Sequence, residues 1–248
     1  MKTRIATSTP DRITLRGRDL VNEFIGERSF TETLYFLSVG RFPEPAQTRI
    51  LDACLVTLAE HGWTPSSIIA RLSIDSVPNE MQVALASGVL AMGSVFAGTT
   101  EDCARILEVG IKRGGNRDEY CRDVVADFRA TKRPLPGFGH PVHKPHDPRA
   151  NKLLALGETE KLDGRYIALL QTLSAEVDRT FKRHITINAT GAIAALLLEI
   201  GFPSNIMRGV SVVARAGGLI GHIVEERETN SARHIWSLVE KDIPYESP

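Results

Sequence analysis

The chain is predicted to fold as an all-α protein. Across its 248 residues, apolar side chains recur at the helical spacing of three and four positions, and strand-like alternation is scarce. Proline and glycine separate the helical segments, as at Pro43, Gly62 and Gly201. A chain of this length can bury a sizeable core, so one domain, or one large and one small lobe, is expected.

The helical segments follow one another along the chain. The second begins after Pro43 and stops at Gly62, and Thr99 or Thr100 is a suitable N-cap for the fifth. The ninth segment is almost wholly apolar and must be buried on all sides, either at the centre of a monomer or in an intertwined homodimer, which we favour. The predicted ranges are Leu20–Val39, Glu44–His61, Pro65–Leu72, Asn79–Phe96, Thr100–Lys112, Asp118–Thr131, Pro148–Leu156, Tyr166–Lys182, Thr190–Ile200 and Ser204–Arg227.

Composition and charge narrow the class of protein. Lys plus Arg and Asp plus Glu number 30 each, and this balance argues against a general nucleic-acid binder. No apolar run reaches the length of a transmembrane helix, and the first residues carry no hydrophobic signal core. Cys54, Cys103 and Cys121 are an odd number without CxxC spacing, so we expect reduced thiols, a cytoplasmic location and no metal site.

One predicted loop contains a cluster of histidine, lysine and arginine residues. The run Gly137-Phe-Gly-His-Pro-Val-His-Lys144 is followed by Asp147-Pro-Arg149, and its prolines exclude a continuous helix. The segment is therefore predicted to be a rigid loop that holds cationic and titratable groups, although composition alone equally allows a basic surface loop.

A second candidate lies on the last predicted helix. Arg208, Arg215 and His222 are seven residues apart, and seven residues make nearly two helical turns, so all three lie along one face. An arginine among apolar residues requires an anion. Either a substrate carboxylate or a protein acid such as Glu225 or Glu226 meets that requirement, and spacing leaves both open.

These motifs together resemble the citrate synthase superfamily. The similarity rests on the Gly-Phe-Gly-His and Asp-Pro-Arg loop, on the run from Val213 to His222, and on Ser231-Ala-Arg-His-Ile-Trp236. It covers roughly residues 60–245 and is closest to the citryl-CoA lyase branch, which also ends ATP-citrate lyase. The resemblance implies a citrate synthase-like multi-helix unit over residues 1–248, with a large helical domain, a smaller CoA-binding lobe at approximately 100–185 and an intertwined homodimer or higher oligomer.

The resemblance also implies roles for individual residues. His140 is the catalytic histidine of the loop, Arg149 and Arg215 hold substrate carboxylates, and Arg233 reaches the neighbouring site across the dimer. The residues expected to contact coenzyme A are Gly137, Phe138, Gly139, Val142, Lys144, Lys182 and Arg183.

Two positions depart from the pattern of the lyase branch. Thr190 occupies the position of the catalytic aspartate, and a neutral hydroxyl cannot act as a carboxylate base; Glu101 is the nearest carboxylate by motif and the candidate substitute. Arg71 stands where the branch has a citrate-binding histidine, and is expected to bind substrate. Phe96 stands where synthases have a catalytic histidine, as a phenylalanine does in the lyase branch, and is also expected in the substrate-binding site.

The implied activity is that of a carbon–carbon lyase. It cleaves a 3-hydroxyacyl-CoA such as citryl-CoA into acetyl-CoA and oxaloacetate, with the coenzyme A thioester as substrate, no bound cofactor, and no nucleic-acid or membrane partner. Two alternatives remain: a non-catalytic homologue that binds an acyl-CoA or a carboxylate, and a condensing acyltransferase, against which Phe96 counts.

Overall fold

The structure is a computed structural model that describes residues 1–94 and 98–247. Within those residues it is helical apart from one small sheet, so the predicted all-α class is confirmed. The helices are α1 (Leu20–Glu23), α2 (Phe30–Val39), α3 (Pro45–Ala59), α4 (Pro65–Ser76), α5 (Met81–Leu90), α6 (Thr99–Arg113), α7 (Arg117–Ala130), α8 (Pro148–Thr159), α9 (Arg165–Phe181), α10 (Ala189–Glu199), α11 (Met207–Thr229) and α12 (Ser231–Asp242), with a 3-10 turn at Ser204–Ile206.

The sheet was not predicted. Strands β1 (Ala6–Ser8), β2 (Ile13–Leu15) and β3 (Arg18–Asp19) pair antiparallel in that order. Two or three residues per strand are too few to show an alternating pattern in the sequence.

Some helix boundaries differ from those predicted. The single helix expected over Leu20–Val39 is wrong, because the chain turns through Gly26, with φ at +80°, between α1 and α2. Ser29 then starts α2 with a capping box to Glu32. Helix α12 was missed, and Asn230 in the left-handed region separates it from α11.

Contacts divide the chain into two compact units. The first comprises Met1–Cys54 and Thr99–Met207, and the second comprises Leu55–Gly98 and Arg208–Pro248. The lobe predicted at 100–185 falls inside the first unit.

Helix α10 forms the core of the first unit. Its residues Ala192, Ile193, Leu196 and Leu197 are completely buried, and it packs against α6, α8 and α9. The apolar helix therefore satisfies its need for burial within one chain, and it provides no argument for a dimer.

The second unit has its own core. Helices α4, α5 and α11 contribute its buried apolar side chains, which are Ala70, Ile74, Ala84, Leu219 and Ile223. Gly88 lets α5 approach α4 closely, since a Cβ there would lie 2.8 Å from the carbonyl oxygen of Ser66. In the described part of the chain no helix has the length and apolar character needed to cross a membrane.

Candidate active site

The signature loop, residues 131–147 between α7 and α8, is tied to the segment that leads into α10. The backbone N–H of Asn188 donates to the carbonyl of Gly137 at 3.0 Å, and its side-chain amide donates to the carbonyl of Gly139 at 2.9 Å. Gly139 in turn donates its N–H to Thr186 at 2.8 Å. Gly137, with φ at +88°, lies so close to Gly191 that a Cβ at either position would overlap the other. The loop is thus held in one conformation by the first unit.

His140 is oriented by its own loop. Its Nδ1 accepts the backbone N–H groups of Val142, at 3.1 Å, and His143, at 3.0 Å. The proton of the neutral ring is therefore on Nε2. Nε2 lies 3.2 Å from Nη2 of Arg149, and the His143 ring stacks on the imidazole at 4.3 Å between centroids. The imidazole of His140 and the guanidinium of Arg149 are therefore held side by side at the same point of the loop.

Asp147 fixes the arginine of that pair. The carboxylate is fully buried and accepts Nε and the backbone N–H of Arg149, each at 3.0 Å, and Nη2 at 2.8 Å. It also accepts the backbone N–H of Ala189 at the start of α10. Burial opposes ionisation, but the hydrogen bonds and charge of Arg149 outweigh it and hold the pKa of Asp147 below its ordinary value.

Thr190 lies in a hydroxyl relay at the N-terminus of α10. Its hydroxyl donates to Oδ1 of Asn188 at 2.7 Å and accepts from the hydroxyl of Thr99 at 3.3 Å. Oδ1 of Asn188 also accepts the N–H of Gly191 and caps the helix. The donor of Thr190 is therefore used within the protein, and the structure places no carboxylate at this position.

Glu101 and Phe96 are the two remaining candidate residues near this region. Glu101 is buried in the first turn of α6 and forms an ion pair with Arg105, four residues further along that helix. Phe96 lies outside the described residues.

A pocket of about 520 Å³ lies beside the signature loop in the first unit. Phe138 and Arg183, both expected to contact coenzyme A, contribute to its wall. The apolar wall residues are Val125, Phe128, Pro134, Leu135, Phe138, Val177, Phe181 and Ile185, and the basic ones are Arg129, Lys132, Arg133 and Arg183. A pocket lined by apolar and basic side chains suits a ligand that joins an aromatic group to phosphates.

The other residues expected to contact coenzyme A do not line this pocket; they are Gly137, Gly139, Val142, Lys144 and Lys182. Val142 supplies an N–H to His140. Three basic residues of the wall, Arg129, Lys132 and Arg133, were not among the expected ones, although they cluster in the sequence just before the loop.

In the second unit, Arg215 is half-buried on α11. Its Nε reaches the carbonyl of Leu58 and its Nη1 reaches the hydroxyl of Thr64, both at the long distance of 3.3 Å. Burial lowers the pKa of Arg215, and the charge of Glu60 partly offsets this effect. No carboxylate forms an ion pair with Arg215 among the residues that the structure describes, so neither Glu225 nor Glu226 is its partner there.

The two further arginines expected to bind substrate in this unit have acidic partners. Arg71 is 1% exposed and pairs with Glu225 and Glu226. Arg233 is exposed on α12 and pairs with Asp75 at 2.8 Å.

Fold and site together define a class: an all-helical protein whose loop histidine, buried aspartate–arginine pair and basic pocket suit an anionic ligand. The family pattern described as the citrate synthase C-terminal domain matches residues 17–236. The chain belongs to the citrate synthase family.

Two solved structures of lyases are similar to this chain. The solved structure of citryl-CoA lyase from Hydrogenobacter thermophilus is 30% identical, with a TM-score of 0.89, and the match covers 100% of this chain and 95% of that one. An ATP citrate lyase from Methanosaeta concilii, solved with (3S)-citryl-CoA, shares the fold at 18% identity and a TM-score of 0.81, over 100% of this chain and 42% of that one.

Among curated sequences, the citrate synthase of Acidithiobacillus ferridurans is 30% identical over 205 residues, which are 79% of this chain and 51% of that protein. The chain spans about half the length of the curated relatives it matches.

Proposed function

We propose that this protein cleaves a 3-hydroxyacyl-CoA such as citryl-CoA into acetyl-CoA and oxaloacetate, as an oxo-acid lyase. The similarity in fold and sequence to a citryl-CoA lyase supports this proposal over a citrate synthase activity. The observation that carries it is the close pair formed by the His140 imidazole and the Arg149 guanidinium, 3.2 Å apart and each oriented by further hydrogen bonds.

In the proposed reaction, the bond between the hydroxyl-bearing carbon and the methylene next to the thioester breaks. The hydroxyl gives its proton to water and becomes an alkoxide; as that oxygen becomes the ketone of oxaloacetate, the electron pair of the broken bond forms the thioester enolate, whose carbon takes a proton from water to give acetyl-CoA. We assign Nε2 of His140 to the hydroxyl oxygen, where it stabilises the negative charge that this oxygen carries once its proton has left. Arg149 binds the neighbouring carboxylate, and Asp147 keeps its guanidinium in place.

We assign the coenzyme A moiety to the pocket of the first unit that has basic side chains in its wall. Arg129, Lys132, Arg133 and Arg183 supply positive charge for phosphates, and rings such as Phe128 and Phe138 supply an apolar surface for an adenine. We further assign Arg215 to a substrate carboxylate, because its described partners are neutral oxygens at long distance.

A second candidate function is a binding protein for an acyl-CoA or a carboxylate. The hydroxyl relay at Thr190 favours it, because the group at the aspartate position is neutral and its proton is bound by Asn188. Glu101 is the carboxylate proposed to replace the aspartate, and its ion pair with Arg105 would have to open first.

The deciding experiment measures oxaloacetate release from citryl-CoA by the purified wild type, with coenzyme A affinity measured by calorimetry on the same sample. Turnover in the wild type supports the lyase. Tight coenzyme A binding without turnover supports the binding protein, and citrate formation from acetyl-CoA and oxaloacetate would instead indicate a condensing enzyme.

Thr190→Asp extends this test. The new carboxylate faces Oδ1 of Asn188, which loses its donor, so we expect a less stable protein by about 1–3 kcal/mol. Turnover gained in this variant alone would mean that the wild-type pocket is intact but lacks its base. A melting curve run in parallel separates loss of fold from loss of chemistry.

A further inference from the structure

Arg71 has the most completely satisfied guanidinium of the candidate arginines in the second unit. Its Nε donates to Nδ1 of His222 at 3.0 Å, and its Nη1 donates to Glu226 at 3.1 Å and to the hydroxyl of Ser231 at 3.2 Å. Nη2 donates to Glu225, and the ring of Trp63 lies 4.7 Å from the guanidinium carbon. With all three nitrogens bonded to the protein and 1% exposure, this group has no edge left for a substrate carboxylate.

One branch of this network holds the start of α12. Glu226 is 3% exposed and accepts the backbone N–H of Ala232 at 2.7 Å, in addition to Arg71 and the hydroxyl of Ser231. Ala232 immediately precedes Arg233. The carboxylate of Glu226 therefore fixes the tight link between α11 and α12, and Arg71 neutralises that buried carboxylate.

The other branch holds the turn between α3 and α4. Because Nδ1 of His222 accepts from Arg71, its Nε2 carries the proton and donates to Glu60 at 3.0 Å. Glu60 accepts the backbone N–H groups of His61 and Gly62, both at 2.7 Å.

Arg215 contacts the two ends of the same turn. Its contacts are the carbonyl of Leu58, just before the turn, and the hydroxyl of Thr64, just after it. Displacing the turn would therefore change the surroundings of the Arg215 guanidinium.

We propose that Arg71 is a positioning residue, which acts through His222 and Glu60 on Arg215 and through Glu226 on Arg233, and that it does not itself bind substrate. This inference rests on the proposed function, in which Arg215 binds a carboxylate. A lysine cannot replace Arg71, because one ammonium lacks the planar fork that reaches His222, Glu225 and Glu226 together.

The test compares Arg71→Lys with the wild type and with Arg227→Lys. Arg227 is the control, because it lies on α11 of the same unit and donates to a single carbonyl, that of Pro78. We expect Arg71→Lys to raise KM for citryl-CoA and Kd for citrate by about 10- to 100-fold, with kcat changed far less and coenzyme A affinity unchanged. Arg227→Lys should match the wild type.

A double-variant cycle distinguishes positioning from direct binding. If Arg71 acts through Arg215, the effects of Arg71→Lys and Arg215→Lys on citrate affinity are strongly non-additive. Additive effects would overturn the proposal, and so would a lower melting temperature with unchanged KM and citrate affinity. His222→Gln serves as the second variant if Arg71→Lys fails to fold, and it should raise the same two constants.

Different results contradict the proposed function and the positioning role of Arg71. A wild type that neither cleaves citryl-CoA nor binds citrate contradicts the proposed function and, with it, the role given to Arg71. A wild type that does either, alongside an unchanged Arg71→Lys variant, contradicts only the positioning role.

Discussion

Two backbone N–H groups orient the ring of His140. The N–H groups of Val142 and His143 select the tautomer that presents Nε2–H, and the adjacent Arg149 adds a positive charge. A donor fixed in this way needs no reorientation when charge develops on a substrate oxygen, and this property makes such groups effective.

The first prediction follows from that geometry. His140→Ala should lower kcat for citryl-CoA cleavage by about 100-fold or more while coenzyme A affinity persists, because His140 is the residue proposed to contact the reacting oxygen and it does not line the basic pocket. His146→Ala is the control, since His146 packs against His184 instead. Unchanged turnover in His140→Ala would remove the catalytic assignment.

Asp147 yields a prediction about stability. Asp147→Asn should lower the free energy of unfolding at pH 7 by about 1–3 kcal/mol, because the buried carboxylate accepts four N–H groups. Denaturant titrations measure this difference. The exposed Asp163, which pairs loosely with Arg165, provides the control Asp163→Asn, with little change expected.

The pH dependence of that difference has a definite sign. The folded-state pKa of Asp147 is depressed, so its stabilising contribution is complete above the unfolded pKa of about 3.9 and is lost as the pH falls further through the folded pKa. The gap between wild type and Asp147→Asn should stay constant from pH 7 to 5 and shrink below about pH 4. A gap that widened in acid would contradict this account.

At the scale of elements, the signature loop and α10 meet through two glycines. A Cβ on Gly191 would lie 2.5 Å from the carbonyl oxygen of Gly137, which is already bonded to Asn188. The contact joins the loop that carries His140 to the helix that begins beside Thr190, so these two candidate positions depend on one close backbone approach.

Gly191→Ala should therefore destabilise the protein by about 1–3 kcal/mol and lower turnover, because the loop must move away from α10. Gly209→Ala on α11 is the matched helical control, since nothing lies within 4 Å of the added methyl group, and it should leave stability equal or slightly higher. Thermal melting of both variants checks the pair. Equal melting temperatures would show that the loop and helix tolerate separation.

At the scale of the whole molecule, the last helix carries exposed apolar side chains. Trp236 and Val239 lie on α12, Ile243 follows directly after its end, and the three are spaced three and four positions apart and are each more than half exposed. Exposed apolar residues on one helix face are typical of an interface. We infer that a second copy of the chain covers them, as the homodimer expected from the resemblance requires.

Light scattering tests this inference. The wild type should have twice the 27.2 kDa mass of one chain, and Trp236→Glu should shift it toward the monomer by placing a charge in the apolar interface. Leu72→Glu, on the partly exposed side of α4, controls for a general effect of added charge. A monomeric wild type would contradict the expected oligomer.

Several features could be predicted from the sequence because they depend on local chemistry. Helix periodicity located most helices, and the signature loop followed from its prolines and glycines. The break at Gly26, the short strands and α12 were missed, since a single left-handed residue or a two-residue strand leaves little periodic signal.

The all-helical class, the family, the loop histidine and the candidate arginines could be predicted from the sequence alone. The hydrogen-bond partners of those arginines are visible only in the tertiary structure. Arg71 pairs with Glu225 and Glu226, whereas Arg215 donates to neutral oxygens. The reason is physical. Motifs record which groups are present, but whether an arginine is neutralised by the protein depends on which helices bring a carboxylate within about 4 Å of it.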